Sequence, residues 1–163
     1  MPVPLIAFFA GWGRYNELLE RAISPLNADQ LSLRAANDLW SVRRLASHIV
    51  SVRSWWFNAW MGEGGEDLAG FADYDEGDKA GSRDAAAIVE ALNRSWSSVE
   101  ASLRGWTEDD LAKEFQRPAP NAQRGRPWRT RQYIVWHVAE HDVFHGGEIS
   151  LILGMHGLAG IDP

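Results

Sequence analysis

The sequence predicts an all-α fold: a four-helix bundle with long inter-helix loops. Three observations carry the prediction. Four stretches repeat apolar residues every three or four positions, no segment alternates as a strand does, and the segments between are rich in Gly, Pro and charge. Two of the three connections exceed the roughly 2–8 residues usual between bundle helices, and long loops at a bundle's end often roof a site. At 163 residues the chain is one domain's worth, so residues 1–163 read as a single bundle.

The first helix is expected over about Leu5–Ile23. Leu5, Phe8, Phe9, Trp12, Leu19 and Ile23 share one face at ~100° per residue, and Pro25 stops it. The second is expected over about Val42–Met61, with Ser41 as N-cap, a seam of Val42, Leu45, Ile49, Val52 and Trp56, and a stop at Gly62, Gly64 and Gly65. Gly62 to Ser82 is rich in Gly, Asp and Glu and reads as an acidic, mobile loop. The third helix is expected over about Asp84–Trp106 with Ser82 as its N-cap. Its seam of Val89, Leu92, Trp96, Val99, Leu103 and Trp106 suits a helix packed lengthwise. Thr107 to Thr130 holds Pro118, Pro120 and Pro127, which predicts a short turn near Glu108–Leu111 and then an irregular or hairpin-like loop. The fourth helix is expected over about Arg131–Met155, closed by Gly154 and Gly157.

Composition bounds the chemistry. With no Cys, the chain offers no disulfide, thiolate metal site, iron–sulfur centre or cysteine nucleophile. A net charge of -6 and the lack of a groove-reading motif argue against nucleic acid as a partner. A mean hydropathy of -0.29, with no apolar run near the 18 or more residues of a membrane helix, argues against a membrane. Leu5 to Trp12 is apolar but lacks the basic flank and cleavage site of a signal peptide, so the cytoplasm is the expected compartment and a small molecule the expected partner.

The histidines carry the chemistry. Measured from Ile134 on the fourth helix, His141 falls near ~340°, His145 near ~20°, Glu148 near ~320° and Ile152 near ~0°. That places two imidazoles and a carboxylate in the apolar stripe, where unpaired polar groups cost a few kcal/mol each. Imidazoles at i and i+4 project side by side and can share a metal ion. A third ligand must come from another helix, and His48, on the flank of the second helix's seam beside Leu45 and Val52, is the candidate. Three neutral His would leave the ion its full charge and an open position, as in catalytic sites. The plainer alternative is a bundle of packed, hydrogen-bonded histidines. His137 reads as a packing residue or one behind the ligands, His156 as unremarkable. Glu148 is a candidate general base or a partner behind a ligand. Asn16 falls at ~20° on the first helix's stripe and could face the same pocket. Trp12, Trp55, Trp56, Trp60 and Trp136 could wall that pocket or belong to the core.

The second-helix Leu-x-x-His-Ile (Leu45 to Ile49), with the last-helix His-Val-x-x-His-x-x-x-His-x-Gly-Glu-Ile (His137 to Ile149), resembles the DinB-like superfamily across nearly the whole chain in length, helix order and loop placement. The resemblance implies a four-helix bundle, often a homodimer, with a divalent metal on His48, His141 and His145; imidazole ligands suit Zn or Ni. It also implies a thiol S-transferase type of activity, in which the metal activates a low-molecular-weight thiol such as bacillithiol, mycothiol or glutathione for attack on an electrophile. A metal- or ligand-binding stress-response bundle without catalysis is the alternative. Where the family often has Arg-Gly-Gln after the last ligand, this chain has Gly146, Gly147 and Glu148. Arg124, Arg126 and Arg129 are candidates to hold the carboxylates of a thiol cosubstrate, since Arg binds carboxylates bidentately. The alternative is a solvated basic loop pairing with the acidic one near Asp73–Asp78.

Overall fold

Long helices and short connecting turns alternate along the chain, which a computed structural model describes over residues 5–77, 80–118 and 125–162. In order they are α1 (Leu5–Phe8), α2 (Ala10–Ile23), α3 (Ala28–Leu31), α4 (Val42–Arg53), a π-helix continuing α4 (Ser54–Trp60), α5 (Gly65–Ala69), α6 (Ala85–Gly105), β1 (Glu114–Gln116), β2 (Trp128–Thr130) and α7 (Arg131–Met155). Helices α2, α4, α6 and α7 form the bundle: α2 packs on α6 and α7, and α4 packs on α6 and α7. Among the described residues, no helix is long and apolar enough to cross a membrane.

The apolar seams become the core. Leu19, Ile23, Ile49, Phe57, Ile88, Leu92, Leu103, Ile134 and Ile149 are fully buried. Removing each such side chain from water stabilises the fold by roughly 1.5–3 kcal/mol. Ser41 caps α4, its side-chain oxygen accepting from Arg44 N at 3.3 Å. The cap of α6 is Asp84 and not Ser82: Asp84 Oδ1 accepts from Ala87 N at 2.9 Å, while Ser82 closes a preceding 3₁₀ turn. The first helix is also not continuous. Phe9, at φ -96° and ψ 13°, separates α1 from α2, and Phe8, expected on the buried face, is exposed.

The acidic segment after α4 is folded onto the bundle. Leu68 and Phe71 enter the core, Ser54 Oγ donates to Leu68 O at 2.6 Å, and Ser51 Oγ donates to Ala72 O at 2.8 Å. Two apolar anchors among glycines gave little periodic signal, yet they suffice to pin the segment. The Pro- and Arg-rich stretch forms a hairpin. β1 pairs antiparallel with β2 in the register Glu114↔Thr130, Phe115↔Arg129, Gln116↔Trp128, and Arg117 N extends the ladder to Pro127 O at 3.0 Å. Arg131, counted in sequence with the basic loop, is buried at the start of α7. Its guanidinium lies 2.7 Å from Glu63 and 4.1 Å from the Trp106 ring centroid.

At the centre lies a buried ion pair. Asp142 on α7 and Arg53 on α4 have fully buried side chains and meet at 2.8 Å. Arg53 Nε donates to Asp142 Oδ2 at 2.9 Å, and Arg53 Nη1 donates to Leu92 O and Ser95 Oγ on α6, each at 3.1 Å. From α2, Trp12 Nε1 donates to Asp142 Oδ2 at 2.7 Å. Removing one partner of such a pair strands the other charge in low dielectric, which costs about 3–5 kcal/mol. Asp142→Asn and Arg53→Met should therefore each lower unfolding stability in urea by about that amount. The double variant should lose less than the sum of the two, because the stranded charge is gone.

Candidate metal centre

The rotation of α7 sets the site. Its buried residues run from Ile134 and Ile152 at ~0° through Val138, Ile149 and Asp142 to Gly146 at ~120°, which centres the core-facing arc at about 60° from Ile134, between Val138 and Asp142. His141 and His145 thus sit on the arc's edge and not in its middle, as the sequence suggested. The edge location opens them to a cavity, and their helix-mate Asp142 takes the core. Across from them, His48 stands on the flank of α4, as its seam predicted. The side chains of His48 and His145 are 23% and 13% exposed.

The three rings converge. His141 and His145 centroids are 4.3 Å apart, and His48 lies 5.0 Å from His141 and 5.2 Å from His145. One ligand atom from each of the three lies within 4.8 Å of the others, a cluster that could hold a metal ion. Two of the three rings are backed by carboxylates. His48 Nδ1 is 2.6 Å from Asp75 Oδ2, and His145 Nδ1 is 2.6 Å from Glu148 Oε2. An ionised carboxylate can only accept, so each Nδ1 carries a proton and each Nε2 is the ring atom left to face a cation. His141 Nδ1 is buried with no hydrogen-bond partner. Burial first, and then the charges of His145, His48, His137 and Arg53, lower the His141 pKa from 6.5 to about 3, so the ring is neutral at physiological pH. Burial pushes the Asp75 carboxyl up, but hydrogen bonds from His48 and Ser51 and the His48 charge outweigh it and hold Asp75 below its ordinary value. Two oriented imidazoles and a third with an unpartnered buried nitrogen fit a divalent cation. Trp40 packs against His48 at 4.9 Å and stacks over His145 at 6.1 Å, covering one side of the group.

The acidic partner Asp75 comes from the segment read in sequence as an acidic, mobile loop, and its role was missed because that segment lacks periodicity. Glu148 stands behind His145. His137 bonds through Nδ1 to Glu140 at 3.2 Å and lies edge-on to Trp56 at 4.7 Å, beside the cluster and outside it. His156 is exposed beyond α7. Asn16 is buried, but its amide donates to Glu20 and it lines a separate cleft with Trp96. Tyr15 occupies the space beside Gly146: a Cβ there would lie 2.9 Å from Tyr15 Cζ, so the position after the last His has no room for a side chain.

A cleft of about 500 Å³ reaches the cluster at His141. His141 and His137 form part of its wall, with Trp55, Trp56, Trp60 and Tyr133. Trp12 belongs to the core and Trp136 points outward, 63% exposed. Of the basic candidates, Arg129 lines the cleft, Arg126 is exposed with its Nε donating to Arg117 O at 3.0 Å, and Arg124 lies outside the described residues. Among the described residues no arginine of the basic loop pairs with Asp73 to Gly77; Asp75 is taken by His48, and Arg131 pairs instead with Glu63.

Comparison with known proteins agrees with this geometry. The family model of the DinB superfamily matches residues 12–149. Among solved structures, a DinB-like protein from Bacillus cereus ATCC 10987 superposes with a TM-score of 0.66 at 18% identity, over 96% of this chain and 94% of that one, a likeness of fold. No curated protein sequence matches the chain.

The site makes the metal-free protein acid-sensitive. Below about pH 6.5 the unfolded chain protonates His141 while the folded chain does not, down to about 3. Stability present above pH 6.5 should therefore fall as pH drops toward 3, read as the melting temperature of chelated protein. His141→Phe should flatten that slope. Zn²⁺ or Ni²⁺ should raise the wild-type melting temperature at pH 7 and leave that of His141→Phe unchanged.

Proposed function

The chain belongs to the DinB superfamily, and from that premise we propose that it is a metal-dependent enzyme of the thiol S-transferase type. The carrying observation is the donor set: three imidazoles on two helices, two of them held by Asp75 and Glu148, beside an open cleft. A divalent cation bound there would keep its full charge and would favour the thiolate form of a low-molecular-weight cosubstrate near neutral pH.

The chain's own groups do the rest. Asp75 and Glu148 fix the ring orientation of His48 and His145. Glu148, 43% exposed at the rim, is a base able to take the thiol's proton. Trp40 and the tryptophans of the cleft exclude water from the attacking sulfur. The sulfur forms a bond to an electrophilic carbon, whose leaving group departs with the bonding electron pair. In an assay of glutathione with chlorodinitrobenzene and Zn²⁺ or Ni²⁺, thiol loss should be abolished by a chelator and by His141→Ala. Glu148→Gln should cut it by about 10–100-fold while metal stays bound. Stoichiometric metal with no thiol loss over a panel of thiols and electrophiles would instead favour a non-catalytic binding bundle.

A homodimer is the second part of the proposal. Trp136, Val143, Leu151 and Met155 are exposed, and Trp136, Val143, Gly147, Leu151 and Gly154 lie within ~80° of one another on α7, opposite its core face. Exposed apolar stripes of this kind mark interfaces. Light scattering should give twice 18.2 kDa for the wild type and a monomer for Trp136→Asp.

A further inference from the structure

The cleft beside the histidines has a composition the metal centre does not explain. Its walls are aromatic faces: Trp56 and Trp60 stack at 4.2 Å with 10° between planes, and Tyr133 stacks on His137 at 6.0 Å and 13°. Trp60 is fixed by its Nε1 donating to Phe115 O at 3.0 Å, so the stack is tied to the hairpin. Flat, rigid walls of this kind select flat, apolar ligands.

Two guanidinium groups interrupt the aromatic surface. Phe115 faces Arg129 across the hairpin, and Arg117 follows Phe115 by two, so the register puts both arginines on one face. Both line the cleft. Arg117 Nη1 is buried with no hydrogen-bond partner, and its guanidinium stands 5.8 Å from the Trp55 ring centroid. Among the described residues Arg129 donates only to the Trp128 carbonyl, at 2.9 Å, and it lies over Tyr133 at 4.9 Å. Neither has a carboxylate within ion-pair distance among the described residues. The acid on this side, Glu140, is engaged by His137. A buried guanidinium nitrogen without an acceptor is costly, and a ligand carboxylate would relieve that cost.

We infer that this cleft takes a flat aromatic carboxylate, its ring against the Trp and Tyr faces, its carboxylate on Arg117 and Arg129, and its electrophilic carbon toward His141, the member of the cluster that lines the cleft. The reaction rests on the transferase reading; the binding does not. A thiol cosubstrate also carries carboxylates, but a peptide-like thiol needs polar partners along its length, and these walls offer few. For an aryl chloride the step balances simply: the sulfur–carbon bond forms, chloride leaves with the carbon–chlorine pair, and the thiol proton goes to base.

The test is calorimetric binding of 4-chloro-3-nitrobenzoate to the metal-loaded protein, with 1-chloro-2-nitrobenzene as the neutral comparator. The benzoate should bind at least about tenfold tighter, since a charged hydrogen-bonded contact is worth about 1.5–3 kcal/mol. Arg117→Met and Arg129→Gln should each remove about tenfold of that preference at unchanged melting temperature. Equal binding of the two compounds would overturn the inference. So would loss on His141→Ala with no loss on either Arg variant, which would put the carboxylate on the metal. Displacement of the benzoate by glutathione, with the Arg variants weakening glutathione, would assign the arginines to the thiol and overturn it as well. Arg-dependent benzoate binding without thiol consumption would uphold this site while refuting the transferase reading.

Discussion

All four bundle helices meet at one buried charge pair. Arg53 of α4 reaches Asp142 of α7, a carbonyl and a hydroxyl of α6, and Asp142 is also held by Trp12 of α2. Apolar packing alone would tolerate small rotations of each helix, because methyl and methylene contacts are not directional. A guanidinium with fixed donor directions does not. Burial pushes the Asp142 carboxyl up, against the pull of Arg53 and Trp12. The pair therefore stands out more for the geometry it imposes than for any net stabilisation.

That geometry divides α7 into three faces. Asp142, Gly146, Ile149 and Leu153 face the core, His141 and His145 face His48 with Glu148 behind His145, and Trp136, Val143 and Leu151 face outward. With Asp142 directed at Arg53, a residue one position earlier must point ~100° away, and His141 reaches the edge shared with His48. Gly146 belongs to the same solution. It lets Tyr15 of α2 close on α7, where Tyr15 Oη donates to Val143 O at 3.3 Å.

The fold was legible because each long helix carries its own periodic seam, and the i, i+4 histidines were legible because they share a helix. The location of His48 followed from its seam alone. What sequence concealed was set by contacts distant in the chain. Asp142 looked like one more acid beside two histidines, and its partner Arg53 lies 89 positions away. Asp75 and the anchors Leu68 and Phe71 sit among glycines, where neither period nor propensity gives a signal. The stripe on α7 was misplaced for a related reason: apolar and polar residues are mixed on every side of the helix, so its pattern does not say which side is the core. The basic loop was read by charge count, whereas a strand register decides that Arg129 lines the cleft and that Arg126 does not.

Charge placement ties these parts together. The chain carries a net charge of -6, yet the acids nearest the site, Asp75 and Glu148, are spent on histidine Nδ1 protons behind the cluster. In front of it, the cleft presents Arg117 and Arg129 without a carboxylate partner. Positive potential is therefore directed into the cavity and negative potential is drawn away from it, although the molecule as a whole is acidic. Low-dielectric aromatic walls strengthen that field, because fewer waters screen it. An anionic ligand entering the cleft would be drawn toward the hairpin by the guanidinium groups and held flat by the tryptophans. It would then meet His141, a neutral ring at physiological pH that adds no competing charge.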